Sequence, residues 1–243
     1  MKETQIIKMS TPDLHLNTCF VLNDAGRIVS TREPEGVSGP LFILVRGLNS
    51  CAWAIRADVP DDVAVKLDRL AQDETPATDF RHAPVNAERY VALLRDRIEP
   101  VSEAKIRESG GPAFEFPVSL VAQPENVIAI EDEQLLEPNF RGWVPGEIHA
   151  GRSPLLAIVE NDHPVSICFC ARRSEVAAEA GVETTETHRG RGLAARVTAA
   201  WALTIRASGR VPLYSTSWTN HASLAVARKL NLRPYASSWS LSD

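Results

Sequence analysis

Residues 181–194 read Gly-Val-Glu-Thr-Thr-Glu-Thr-His-Arg-Gly-Arg-Gly-Leu-Ala, and the reading of the whole chain turns on this stretch. A strand-like run ends, a loop carrying Gly190 and Gly192 follows, and a helical pattern opens at once at Leu193. At a helix N-terminus the first four N–H groups lack internal partners, and the aligned peptide dipoles favour negative charge. Glycine has no Cβ to hold a ligand away, so the backbone can come within hydrogen-bonding distance of phosphate oxygens. Arg189 and Arg191 add positive charge. The loop therefore predicts an anion site suited to the two phosphates of a nucleotide cofactor.

Two other nucleotide patterns fail on context. Gly190-x-Gly192-x-x-Ala195 fits a dinucleotide fingerprint literally, but the next strand, Pro212–Trp218, offers no acid for a ribose, and too few residues follow to complete a doubly wound sheet. A P-loop is excluded because no Gly-Lys-Ser/Thr follows the glycines.

Working outward, strands are expected at Leu155–Glu160, Val165–Ala171 and Val176–Thr185, with the first two joined by a turn at Asn161–Pro164. After the loop come a helix from Leu193 to Ala207 stopped by Gly209, a strand over Val211–Trp218, and a helix over Asn220–Leu230 capped by Asn220. Upstream, Cys19–Leu22 and Arg27–Thr31 flank a turn cluster and read as a hairpin, as do Leu41–Val45 and Ala52–Ala57. Two helices follow, one behind Asp61-Asp62 and one after Asn86, separated by a loop at Asp73–Pro84. The polar, Gly110-Gly111-Pro112-containing stretch Pro100–Pro112 reads as a composition break, which divides the chain into an N-terminal α/β domain (1–105) and a C-terminal domain (106–243).

Arg189-Gly190-Arg191-Gly192-Leu193-Ala194 resembles the R/Q-x-x-G-x-G/A motif of GNAT N-acetyltransferases at every fixed position. Asn220-His221-Ala222-Ser223 through Ala227-Arg228-Lys229-Leu230-Asn231-Leu232 is similar to a second family segment, and the likeness spans residues 153–235. The resemblance implies an α+β fold with a mixed central sheet flanked by helices, and some two-domain relatives carry a degenerate copy of that fold in the N-terminal half. It also implies direct transfer of an acetyl group from acetyl-CoA to an amine. The expected cofactor contacts are Val182, Glu183 and Thr184 on the preceding strand, then Arg189, Gly190, Arg191, Gly192, Leu193 and Ala194 in the loop, and Asn220.

The acceptor amine must lose a proton, since a lysine-like amine has a pKa near ~10.4. Glu179 and Glu183, four residues apart on one strand and so on one face, are the candidate bases. Where many relatives carry a tyrosine as general acid, this chain has Ala227. Ser223, one helical turn earlier, is a candidate donor, with Tyr214 and Tyr235 as further options. The missing tyrosine keeps open a non-catalytic acyl-CoA-binding sensor or interaction module as the alternative function.

The composition agrees with an enzyme of this kind. With 44% hydrophobic and 23% charged residues and a net charge of −5, the 243-residue chain reads as globular and poorly suited to nucleic acid or anionic membrane. Four cysteines without CxxC spacing (Cys19, Cys51, Cys168, Cys170) read as small apolar residues of a cytoplasmic protein. His15, His82, His149, His163 and His221 show no metal-ligand spacing, so no metal is expected. Glu131-Asp132-Glu133 reads as a helix start. The partner is then a small-molecule or protein amine, and a homodimer is compatible with the sequence.

Overall fold

The computed structural model describes residues 11–77, 79–98, 105–121 and 126–243. The first element among the described residues is helix α1 (Thr11–Cys19), which the sequence pattern does not announce. Its buried side mixes His15 and Thr18 with Leu16 and Cys19, so it has no clean apolar stripe. Strands β1 (Phe20–Leu22) and β2 (Ile28–Thr31) form the first expected hairpin. Asn23 closes its turn by accepting from the amides of Ala25 and Arg27, and Gly26 takes the positive φ the turn needs. Cys19 lies in α1 rather than in the strand.

The second hairpin is β3 (Phe42–Gly47) with β4 (Cys51–Ile55). Helices α2 (Asp61–Gln72) and α3 (Ala87–Ile98) follow, with Asp61 and Asp62 in the first turn of α2 where the helix dipole favours them. Next come β5 (Arg107–Glu115), β6 (Val127–Ala129), β7 (Leu156–Glu160), β8 (His163–Arg173), β9 (Ala177–Thr184), α4 (Leu193–Ala207), β10 (Val211–Ser215), α5 (His221–Lys229) and β11 (Arg233–Ser242). Between β6 and β7 lie only short helical turns at Glu133–Leu136 and Ile148–Arg152. Asp132 caps the first of these turns by accepting from the Gln134 amide, as an acidic helix start should.

Among the described residues, nine strands form one sheet in the order β4-β3-β11-β5-β10-β9-β8-β7-β6. The supposed break at Gly110-Gly111-Pro112 is in fact strand β5, seated in the interior of the sheet between β11 and β10. Its glycines are there for clearance. A Cβ on Gly111 would run into the Thr216 carbonyl, and one on Gly110 would come within 2.9 Å of the Ser238 carbonyl. The sheet is continuous across the expected boundary near residue 105, since β11 pairs with both β3 and β5.

Side-chain alternation sends the sheet's two faces into different cores. Ala178 and Ala180 of β9, with Tyr214 of β10 and Phe114 of β5, pack under Trp201 and Val197 of α4 and Leu224 and Ala227 of α5. Ala177, Leu213 and Ala113 face the other way, toward Leu16 and Cys19 of α1. The α2–α3 pair covers Phe42 and Leu44 of β3 and Trp239 and Leu241 of β11. Among the described residues no helix is long and apolar enough to cross a membrane.

One detail of the sheet positions the site. Strands β9 and β10 run parallel, but their pairing covers only Ala177–Glu179 against Val211–Leu213. Beyond Glu179, β9 continues to Thr184 paired on its β8 side alone. The two strands part there, and a gap opens in the middle of the sheet.

Candidate active site

Two cavities meet at this gap. One, of about 920 Å³, is lined by β9 residues Val182–Thr184, the loop before α4, and Asn220, Val226 and Lys229. The other, of about 710 Å³, lies toward α1 and is lined by His15, Cys19, Thr31, Glu179 and the serines of β5 and β11. Val182, Asn220 and Ser223 line both.

The first cavity has the form of an anion cradle. Gly190 and Gly192 take φ of +77° and +78°, the left-handed region that side chains adopt only with strain, and Gly192 is the N-cap of α4. The N-terminus of the helix thus faces the cavity with no side chain of the two glycines before it. A Cβ at Gly192 would collide with the Lys229 ammonium, so this lysine sits over the loop. Lys229 is a site residue that sequence reasoning passed over. Its signal was its place in the last turn of α5, which folds back onto the glycine loop. Asn139 and Phe140 also line the cavity and lay in a stretch with no motif.

The predicted cofactor residues do not all gather here. Val182, Glu183, Thr184, Arg189, Gly190, Gly192, Leu193, Ala194 and Asn220 line the cavity. The Arg191 guanidinium instead turns to Glu160, with contacts of 3.0 and 2.7 Å, and His188 approaches the same carboxylate at 3.5 Å. The Arg191 hydrogen bond is the main reason the Glu160 pKa is lowered. Asn220 caps α5 by accepting from the Ser223 amide at 3.0 Å.

The two candidate bases are separated. Glu183 is exposed and lines the first cavity; crowding by surrounding protein raises its pKa, with Arg152 opposing and Glu147 adding to the rise. Glu179 is 3% exposed and lines the other cavity. Sharing a strand face does not bring them into one site, because the face passes from beneath α1 to the open gap between the two positions.

Glu179 is held by a network reaching far along the chain. A bulge in β8 between Cys170 and Arg172 shifts the register so that Arg172 stands directly across from Glu179. Arg172 donates to Glu179 at 2.8 Å and pairs with Glu33 at 2.8 Å. The Ser215 hydroxyl and the Cys19 thiol also donate to Glu179. Cys19 lies 3.8 Å from His15 Nε2, and His15 Nδ1 lies 3.1 Å from the Tyr235 hydroxyl. Burial pushes the Glu179 pKa up, but Arg172, His15, Ser215 and Cys19 outweigh it and leave the carboxyl below its ordinary range. Burial lowers the His15 pKa and, with the Glu179 charge, raises that of the Cys19 thiol. Glu179 is therefore ionised, with His15 and Cys19 neutral beside it.

Cys19 is thus not the inert apolar residue its sequence suggested. His15, Cys19 and Glu179 bring ligand-type atoms within 4.8 Å of one another, a grouping hidden in sequence because Glu179 lies on a distant strand. Arg172 already supplies the positive charge at this spot, and the thiol keeps its proton. The trio is built as a hydrogen-bonded ion-pair network.

Of the candidate acids, Ser223 lines both cavities. Tyr214 lines the second cavity and donates to the Ser223 carbonyl at 3.3 Å; burial pushes its pKa up to about 12. Tyr235 is committed to His15. Ala227 is 2% exposed and packs in the core beneath α4.

Residues 156–235 match the family model "GNAT acetyltransferase". No curated protein sequence matches the chain. Among solved structures, a functionally unknown conserved protein of Staphylococcus epidermidis is similar with a TM-score of 0.53 at 12% identity, covering 96% of this chain and 97% of that one. A GCN5-related N-acetyltransferase-like protein of Streptococcus suis has a TM-score of 0.48 at 19% identity, with 84% of each chain covered. A GNAT-family protein of Novosphingobium aromaticivorans has a TM-score of 0.46 at 19% identity. Its match covers 56% of this chain and 64% of that one, just under two thirds of its length. The matched segment runs from β7 into β11 and has the glycine loop at its centre, so residues 156–235 of this chain are similar to the GNAT acetyltransferase family.

Proposed function

We propose that the protein transfers an acetyl group from acetyl-CoA to a primary amine of a small molecule or protein. The observation that carries this reading is the meeting of an anion cradle and a carboxylate-bearing cavity at the gap between β9 and β10. The amides at the start of α4, with Lys229 above them, suit a diphosphate. The free edge of β9 at Val182–Thr184 offers backbone groups to an amide-containing arm, and one of its N–H groups would stabilise the oxyanion formed on attack.

Glu183 is the stronger base, but Glu179 is the one that faces the acceptor-side cavity, and reach is decided before strength. Glu179 then holds the incoming ammonium and accepts its proton through water. The amine nitrogen forms the new C–N bond as the C–S bond breaks, and the departing thiolate takes a proton. The Tyr214 hydroxyl, neutral and beside Ser223 at the junction, is the best-placed donor.

The test is thiol release from acetyl-CoA with a panel of amines. Turnover with any amine supports the reading. Tight acetyl-CoA binding without turnover across the panel would replace it with the non-catalytic acyl-CoA sensor, which the buried Ala227 in the family's tyrosine position favours.

A further inference from the structure

The acceptor-side cavity has a floor unusual for the interior of a sheet. On β11, Trp239 and Leu241 bury into the α2–α3 core, while Ser238 and Ser240 alternate with them and line the cavity. Across the strand pair, Ser238 faces Gly111 and Ser240 faces Ser109 of β5. The Ser109 and Ser240 hydroxyls lie 2.8 Å apart, and Ser238 donates to the Gly111 carbonyl at 3.4 Å. An inner strand face is ordinarily closed by apolar packing; here it is a row of small hydroxyls under open space.

The wall adds a second, independent observation. Thr31 of β2 lines the same cavity and is 9% exposed, yet its Oγ1 has no hydrogen-bond partner among the described residues. Its backbone amide is used, donating to the Val37 carbonyl at 2.8 Å. A buried hydroxyl without a partner is unfavourable unless a ligand completes it.

The charges on the walls are largely spoken for. Arg172 is paired with Glu33 and Glu179, and Arg56 with Asp58 and Asp243. Glu179 is the carboxylate nearest the gap; beyond it the serines offer neutral hydroxyls, and Arg107 at the far end donates to the Asp243 backbone carbonyl. A strongly cationic or an apolar remainder would leave these hydroxyls unmatched.

Resting on the acetyl-transfer reading above, we infer that the acceptor is a primary amine on a neutral, hydroxyl-bearing small molecule. Its ammonium meets Glu179, its hydroxyls meet the serine floor, and Thr31, from the N-terminal half, selects for one of those hydroxyls. The N-terminal half is thereby part of the acceptor site.

The experiment compares kcat/KM for 2-amino-1,3-propanediol, isopropylamine and spermidine in the wild type, Thr31→Val and Ser240→Ala. The inference expects the diol to be the best of the three. Thr31→Val, which keeps the side-chain shape, should lower kcat/KM for the diol by roughly fivefold and leave isopropylamine unchanged. Ser240→Ala should act in the same direction, which guards against a folding defect peculiar to one variant. Preference for isopropylamine or spermidine, or an equal loss for diol and isopropylamine in both variants, overturns the inference while leaving acetyl transfer intact. No turnover with any amine removes acetyl transfer itself, and the inference with it.

Discussion

Glu179 and Arg172 face each other directly across β9 and β8, 2.8 Å apart, because one extra residue in β8 shifts the register between Cys170 and Arg172. Without that bulge the residue opposite Glu179 would be Ala171, and a buried carboxylate would have no cation. Replacing one partner of such a pair leaves the other charge stranded. Arg172→Gln should therefore destabilise the fold by about 1–3 kcal/mol, less than for a fully buried pair because the arginine side chain is 31% exposed. The pH dependence follows from the same pair. The folded-state pKa of Glu179 lies below its ordinary 4.5, so its stabilisation is complete above that value and fades as pH falls through the folded pKa. Thermal melts of wild type and variant should differ most at neutral pH and converge in acid. A constant difference down to low pH would contradict the assignment.

At the glycine loop, two substitutions of equal chemistry should part company. Alanine at either Gly190 or Gly192 must take a positive φ, costing about 1–2 kcal/mol of stability. At Gly190 the added Cβ meets nothing within 4 Å, whereas at Gly192 it meets the Lys229 ammonium and displaces it from the loop. Gly192→Ala should weaken acetyl-CoA binding by about tenfold to a hundredfold, through loss of charge-assisted contacts of ~1.5–3 kcal/mol. Isothermal titration decides this. A smaller effect at Gly192 than at Gly190 would move the phosphates elsewhere.

Much of this architecture could be read from the chain, and what could not has a common cause. The loop at 189–194 declared itself because the strand, the glycines and the helix start are neighbours in sequence. The hairpins, α2, α4 and α5 were legible for the same reason, each carrying its own turn or cap. The acceptor side was not, because His15, Cys19 and Thr31 meet Glu179 only after the sheet has formed, and α1 buries polar groups that blur its stripe. Strand β5 was misread as a boundary because a strand crossed closely by another segment must surrender its side chains. Gly110 and Gly111 record that constraint, yet in sequence they look like a break.

That constraint is testable. The chain after β10 runs beside β5, with the Thr216 amide donating to the Pro112 carbonyl at 3.3 Å and the Trp218 amide to the Gly110 carbonyl at 3.3 Å. The obstacle to a Cβ at Gly111 is the Thr216 backbone, which cannot swing aside as a side chain end could. Gly111→Ala should cost about 1–3 kcal/mol or more, lowering Tm by several degrees. If the melt is unchanged, the segment from Thr216 to Trp218 does not lie against β5.

The last prediction concerns the proton for the leaving thiolate. With Ala227 in the core, no hydroxyl projects from the family's usual position, and the proposed donor is Tyr214, whose hydroxyl meets the Ser223 carbonyl. Burial pushes its pKa up to about 12, so it keeps its proton throughout the neutral range and is present as a hydrogen-bond and proton donor when the thiolate departs. Tyr214→Phe keeps the ring contacts with Phe114 and Phe116 and removes only the hydroxyl. If Tyr214 is the donor, kcat should fall by about a hundredfold, the usual scale of general acid catalysis, with KM for acetyl-CoA little changed. The loss should shrink with an acyl-CoA analogue whose leaving group is less basic, because a weaker base needs less help from an acid. An equal loss for both leaving groups, or a rise in KM without a fall in kcat, would reduce Tyr214 to a packing residue and return the donor to Ser223 or to water.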